Sequence, residues 1–218
     1  MIESLVNALE KHRNDENAYY MEKYMKNRFT FLGIKTPERR MVSNAFFKEI
    51  GILNQPFNND FVIELWRMEE REYQNIALDY IEKVLGKITK EHIDLFESLI
   101  TTKSWWDTVD MLAQKPIGKI AMDSPQFILG KIDDWASHQN MWLRRTAILF
   151  QLKYKNRTDE ELLYQYIKLN SDSKEFFIQK AIGWALREYS KTNPASVKSF
   201  IQENNLAKLS IREGSKYL

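Results

Sequence analysis

The chain has 218 residues, a formal net charge of +2 and no cysteine. The lack of cysteine excludes disulfides, thiol nucleophiles and cysteine-ligated metals, and three scattered histidines, His12, His92 and His138, offer no zinc-ligand pair, so neither metal nor cofactor is expected. No stretch is apolar enough to cross a bilayer, and residues 1–12 are amphipathic and acidic rather than signal-like, which points to a cytoplasmic protein without a membrane partner.

Helical periodicity runs through nearly the whole sequence. Ile2, Leu5, Val6 and Leu9 mark a first helix over 2–12, and Asn14-Asp15 can cap a second through Tyr19, Tyr20, Tyr24 and Met25. Thr30–Ile34 closes on Gly33 and reads as a turn, and Thr36-Pro37 opens a third helix. Further helices are expected at 57–68, 71–85, 89–99 (capped by Thr89), from Ser104, from Pro116, from Pro125 to about Gly130, and at 140–153, 158–169, 174–190 and 194–203. Short helices joined by tight turns make an all-α fold. Their two-helix units of roughly 40 residues fit degenerate HEAT-like hairpin repeats, so the expectation is a single domain over 1–218, a curved α-solenoid with a concave groove.

Charge is segregated along the chain. Residues 20–48 carry seven Lys/Arg against two acids, 57–99 carry five against ten, and 141–191 carry ten against six. Two basic zones flanking an acidic middle can form a phosphate-binding stripe or an ordinary solvated surface.

Three stretches carry candidate chemistry. Ser104-Trp105-Trp106-Asp107-Thr108-Val109-Asp110 begins with a capping-box spacing that gives Ser104 and Asp107 a structural role at a helix start. Asp110 caps nothing. Helical phase puts Trp105 with Val109 and Leu112 in the core, and Trp106 four residues from Asp110 on another face. That face reads either as a site or as a core tryptophan with a rim aspartate. The helix over 140–153 is apolar most of the way round yet contains Arg144 and Arg145; a guanidinium there needs an anion, either an internal carboxylate or a DNA phosphate. The helix over 174–190 has a clean apolar stripe, opposite which stand Lys180, Gly183, Trp184 and Arg187. Gly183 permits close approach of another backbone, and Trp184 suits either a nucleotide sugar or packing on the next helical pair.

These segments, with Trp142–Ile148, Gln179–Tyr189 and Ser210–Lys216, resemble the AlkD-like family of bacterial DNA alkylation-repair glycosylases over essentially the whole chain. The resemblance implies a HEAT-like solenoid that binds double-stranded DNA as a monomer and excises N3- and N7-alkylated purines. By motif position it places the catalytic carboxylate on Asp110, site tryptophans on Trp106 and Trp184, an arginine on Arg145 and an N-terminal tyrosine on Tyr24. Arg144, Lys180 and Arg187 are the accompanying DNA contacts expected from the basic faces. A non-catalytic DNA-binding solenoid that senses distorted duplex by shape is the alternative, and a protein-binding scaffold is a third class.

Overall fold

Side-chain caps set five of the helix starts in the computed structural model, which describes residues 2–218 and, at 127–129, the backbone alone. The side chains of Asn14, Asn58, Asn140, Asp159 and Asn193 each accept a backbone N–H of the turn that follows. The helices are α1 Glu3–Glu10, α2 Asp15–Tyr24, α3 Thr36–Glu49, α4 Asn59–Arg67, α5 Arg71–Lys83, α6 Ile93–Thr101, α7 Trp106–Leu112, α8 Gly118–Asp123, α9 Pro125–Ala136, α10 Met141–Leu149, α11 Glu160–Leu169, α12 Phe176–Ser190, α13 Pro194–Glu203 and α14 Lys208–Gly214. No strand occurs among the described residues, so the fold is all-α. Within the same residues no helix is long and apolar enough to cross a membrane.

Two compact units divide the chain, Met1–Ile88 and Thr89–Leu218. In the first, α3 packs on α1 and α5, and α4 on α5. Its connecting segment 30–34 is held by the buried Glu72, whose carboxylate accepts the N–H groups of Leu32, Gly33 and Ile34. Gly33 is required there: its φ is +82°, and a Cβ would stand 1.9 Å from the Asn14 carbonyl oxygen.

In the second unit α10 packs on α9 and α12, and α12 in turn on α13 and most extensively on α14. Ile148, Leu163, Ile178, Ile182, Leu186 and Phe200 are among the residues of its buried core.

Three local expectations are overturned. Pro116 does not start a helix: it sits inside a π-helical turn, Ala113–Ile117, that carries α7 directly into α8. Proline lacks an N–H and its ring clashes with the carbonyl four residues back, and a widened turn relieves both. Gly130 does not end α9, because it keeps helical backbone, and glycine stops a helix by going left-handed. Ser104 does not cap α7. Its hydroxyl donates back to the Ile100 carbonyl at 2.6 Å, closing α6, while extended Trp105 occupies the N-cap position without a side-chain cap bond. Asp107 nevertheless lies in the first turn of α7.

Candidate active site

Extended backbone at Trp105 followed at once by helix gives the two adjacent indoles different fates. Trp105 turns inward, 7% exposed, and packs on Trp142 and Phe177 with ring centroids 5.8 and 4.8 Å away. Trp106 is half-buried and lines a cavity. One helical turn on, Asp110 lines the same cavity. The π-helical turn follows immediately, and Gln114 within it donates its side-chain amide to the Asp110 carbonyl at 2.9 Å.

Asp110 is not alone. Arg145, from α10, grips its carboxylate with both prongs: Nε donates to Oδ1 at 2.6 Å and Nη2 to Oδ2 at 2.8 Å. The remaining prong, Nη1, donates to the Phe177 carbonyl at the start of α12. Arg145 is 4% exposed and Asp110 8% exposed. Of the two partners open to Arg145, an internal carboxylate or a DNA phosphate, the fold supplies the carboxylate. Burial pushes the Asp110 carboxyl above the usual carboxylate range, while the hydrogen bonds and charge of Arg145 pull it down. Trp105, Trp142 and Phe177 lie in mutual ring contact on the Arg145 side of this pair, and the Arg145 guanidinium carbon stands 5.9 Å from the Phe177 ring centre.

α12 builds the opposite wall. Lys180, Trp184 and Arg187 recur at helical spacing and line the cavity together with Phe176, Phe177 and Glu213, around a volume of about 360 Å³. Trp184 does two jobs, lining the cavity and packing partly against the core. Gly183 explains how α14 comes so close: a Cβ there would meet the Glu213 Cβ at 2.5 Å and the Ser210 carbonyl at 3.1 Å. Ser210 fastens the contact by donating to the Gln179 carbonyl at 2.9 Å.

The fold therefore gathers Trp106, Asp110, Arg145, Lys180, Trp184 and Arg187 around one cavity. Arg144 is not among its lining residues and instead donates to the carbonyls of His138 and Gln139. Tyr24 belongs to the N-terminal unit, where it is 67% exposed beside a separate cavity formed with Tyr20, Met21, Phe31 and Arg39. Three lining residues escape sequence reasoning, Phe176, Phe177 and Glu213. Phe176 is a 58% exposed aromatic at the rim, visible only as the outward half of a Phe-Phe pair at a helix start. Glu213 is 6% exposed, and the tight Ser210–Gly214 run with its paired small residues was its one signal.

Known proteins bear on this arrangement. A family model described as DNA alkylation repair enzyme matches residues 5–218. Among solved structures, a predicted DNA alkylation repair enzyme from Enterococcus faecalis is 36% identical, with 94% of this chain and 96% of that one covered and a TM-score of 0.87. The smu.31 protein of Streptococcus mutans UA159 shares the fold at 16% identity, with a TM-score of 0.60 over 96% of this chain and 99% of its own. No curated protein matches the chain. The family match over almost the full length carries the conclusion: the chain belongs to the DNA alkylation repair enzyme family.

Proposed function

We propose that this protein is a monofunctional DNA glycosylase that hydrolyses the N-glycosidic bond of N3- and N7-alkylated purines in duplex DNA, acting as a monomer in the cytoplasm. The observation that carries this reading is Asp110: a buried carboxylate, held in two-pronged fashion by Arg145, that still opens on a cavity walled by two indoles and two cations.

The chemistry suits such a group. Alkylation at N3 or N7 leaves the purine positively charged, so it departs without a general acid. The C1′–N bond breaks, its electron pair leaves with the base and neutralises it, and the sugar passes through an oxocarbenium-like state. Asp110 stabilises that cation through a fixed negative charge. It also orients the attacking water, whose oxygen bonds to C1′ as its proton passes to the Asp110 carboxylate and from there to solvent. Arg145 fixes the orientation of the carboxylate and favours its ionised form against the desolvation that raises it. The faces of Trp106 and Trp184 add attraction for the cationic sugar. Lys180 and Arg187 take backbone phosphates, which position the duplex without reading its sequence.

The test is release of 7-methylguanine from methylated duplex DNA. The wild-type protein is expected to release the base and leave the strand uncut, and Asp110→Asn to release almost none while still binding DNA. Undiminished release by the variant, or none by the wild type, would sink the mechanism. A borohydride-trapped protein–DNA adduct would contradict the monofunctional assignment.

A further inference from the structure

Glu213 is the second carboxylate on the cavity and has a different environment from Asp110. Four cations surround it. Lys180 Nζ lies 3.1 Å and Arg212 Nη2 3.7 Å from Oε1, and Lys216 Nζ lies 2.6 Å and Arg187 Nη1 3.3 Å from Oε2. Two come from α12, one from α14 and one from just beyond it. Hydrogen bonds from Lys216 and Lys180 hold the Glu213 carboxyl down at about 2. Such a carboxylate is a poor base, and both its oxygens are already engaged, so it has no part in activating water.

Its placement also has a cost. A cavity that is to receive polyanionic DNA gains nothing from an extra negative charge as such, yet the packing goes out of its way to seat this one: α14 presses onto Gly183, where no side chain would fit. One carboxylate among four cations leaves a surplus of three positive charges. It cannot consume their donors either, since each lysine has three and each arginine five. The unspent donors belong to side chains that the carboxylate keeps from splaying apart. Arg212 and Lys216 are exposed, and Lys180 and Arg187 line the cavity, so the cluster runs from the cavity wall to the open surface.

We infer that Glu213 is a positioning residue that assembles Lys180, Arg187, Arg212 and Lys216 into a preorganised phosphodiester clamp beside the Asp110 cavity, extending the DNA contact surface from α12 onto α14. The ligand class is the phosphate backbone of the duplex that also presents the lesion, so the inference rests on the DNA-binding part of the proposed function. It differs from plain charge attraction in the sign of one experiment.

Binding of an unmodified fluorescent duplex is measured across a salt series for wild type, Glu213→Gln, Glu213→Asp and the double variant Arg212→Gln/Lys216→Gln. Removing a negative charge beside DNA should tighten binding if Glu213 acts only through its charge. The clamp predicts the reverse. Glu213→Gln should weaken binding about tenfold and flatten the slope of log K against log[salt] by about one to two, since each phosphate contact contributes roughly 0.9. Glu213→Asp, which keeps the charge and shortens the reach, should weaken it as well. The double variant changes only exposed side chains, so it reports even if substitution at 213 impairs folding, and it should flatten the slope by about one to two. Tighter binding by Glu213→Gln, or an unchanged slope in the double variant, overturns the clamp and leaves the glycosylase reading intact. A wild-type protein without salt-dependent duplex binding overturns both.

Discussion

Two buried arginine–aspartate pairs, one in each unit, differ little by the usual measures and greatly in what surrounds them. In the N-terminal unit Arg39 of α3 meets Asp79 of α5, the two side chains each 8% exposed. In the C-terminal unit Arg145 of α10 meets Asp110 of α7, at 5% and 11%. Each pair ties together helices far apart in sequence. Asp79, however, is shared with a second arginine, Arg40, which donates to its other oxygen at 3.0 Å, and Asp79 is absent from the residues lining the cavity on which Arg39 opens. Asp110 has a single arginine on its inner side and a cavity with two indoles on its outer side. Burial and pairing thus mark a costly charge. A carboxylate becomes usable when one side is clamped and the other is open.

The sharpest way to break this contrast is to remove the same charge from each pair. Asp110→Asn and Asp79→Asn should both lose stability, by about 3 kcal/mol when a buried arginine is left without its partner charge. Turnover separates them. For the molecules that remain folded, Asp110→Asn should release alkylpurines about 100-fold more slowly or worse, and Asp79→Asn at the wild-type rate. Equal turnover losses would mean that the two pairs are alike and that the cavity has no bearing on Asp110.

Gly183→Ala comes next. An added Cβ 2.5 Å from the Glu213 Cβ has to push α14 off α12, and overpacking of this kind costs roughly 1–3 kcal/mol. A lowered thermal midpoint is expected, with flatter salt dependence of DNA binding if the Glu213 cluster opens as α14 moves.

Arg145 tests the inner side of the Asp110 pair. Burial raises the Asp110 carboxyl and Arg145 opposes that rise. The ionised form is the one that stabilises a cation, so the proposed activity should climb with pH through this ionisation. Arg145→Met removes the opposing hydrogen bonds and charge, and the acid limb of the kcat/KM profile should therefore move to higher pH. Since the guanidinium is spent on Asp110 and the Phe177 carbonyl, the salt slope for undamaged duplex should stay within a few tenths of wild type. A fall of about 0.9 would instead make Arg145 a phosphate contact.

How much of this was legible beforehand depended on the range of the interaction. Helical phase, which acts over a few residues, separated Trp105 from Trp106, set Trp184 beside two cations, and identified Gly183 as a point of close approach. Caps such as Asn14 and Asn193 were readable for the same reason. Ser104 misled because a serine hydroxyl can serve the helix behind it as well as the one ahead, and only the extended backbone at Trp105 decides between them. Pro116 misled because a π-helical turn is invisible to rules built on α-helices. The Asp110–Arg145 pair spans 35 residues and Arg187–Glu213 spans 26. No spacing rule reaches that far, so an arginine in need of an anion and an aspartate without a cap were each readable alone, but not as each other's partner.

The smallest expected effect separates the two carboxylates of the cavity by acid titration of stability. Glu213 has an ordinary value of 4.5 that the fold lowers to about 2. A lowered carboxyl stabilises the folded state at pH values above its unfolded ionisation, and that contribution drains away as pH falls from about 4.5 towards 2. Asp110 has the opposite sign: its raised value means that the folded state holds the proton more tightly, so acid does not withdraw stability through this group. Urea unfolding followed from pH 5 down to pH 2.5 should therefore show a shallower acid loss for Glu213→Gln than for wild type. Asp110→Asn should show an acid loss at least as steep as wild type, because the group it removes is one that acid favours. A shallower loss in Asp110→Asn would place the lowered carboxyl on α7 and remove the distinction between the carboxylate proposed as catalytic and the charge proposed to organise its neighbours.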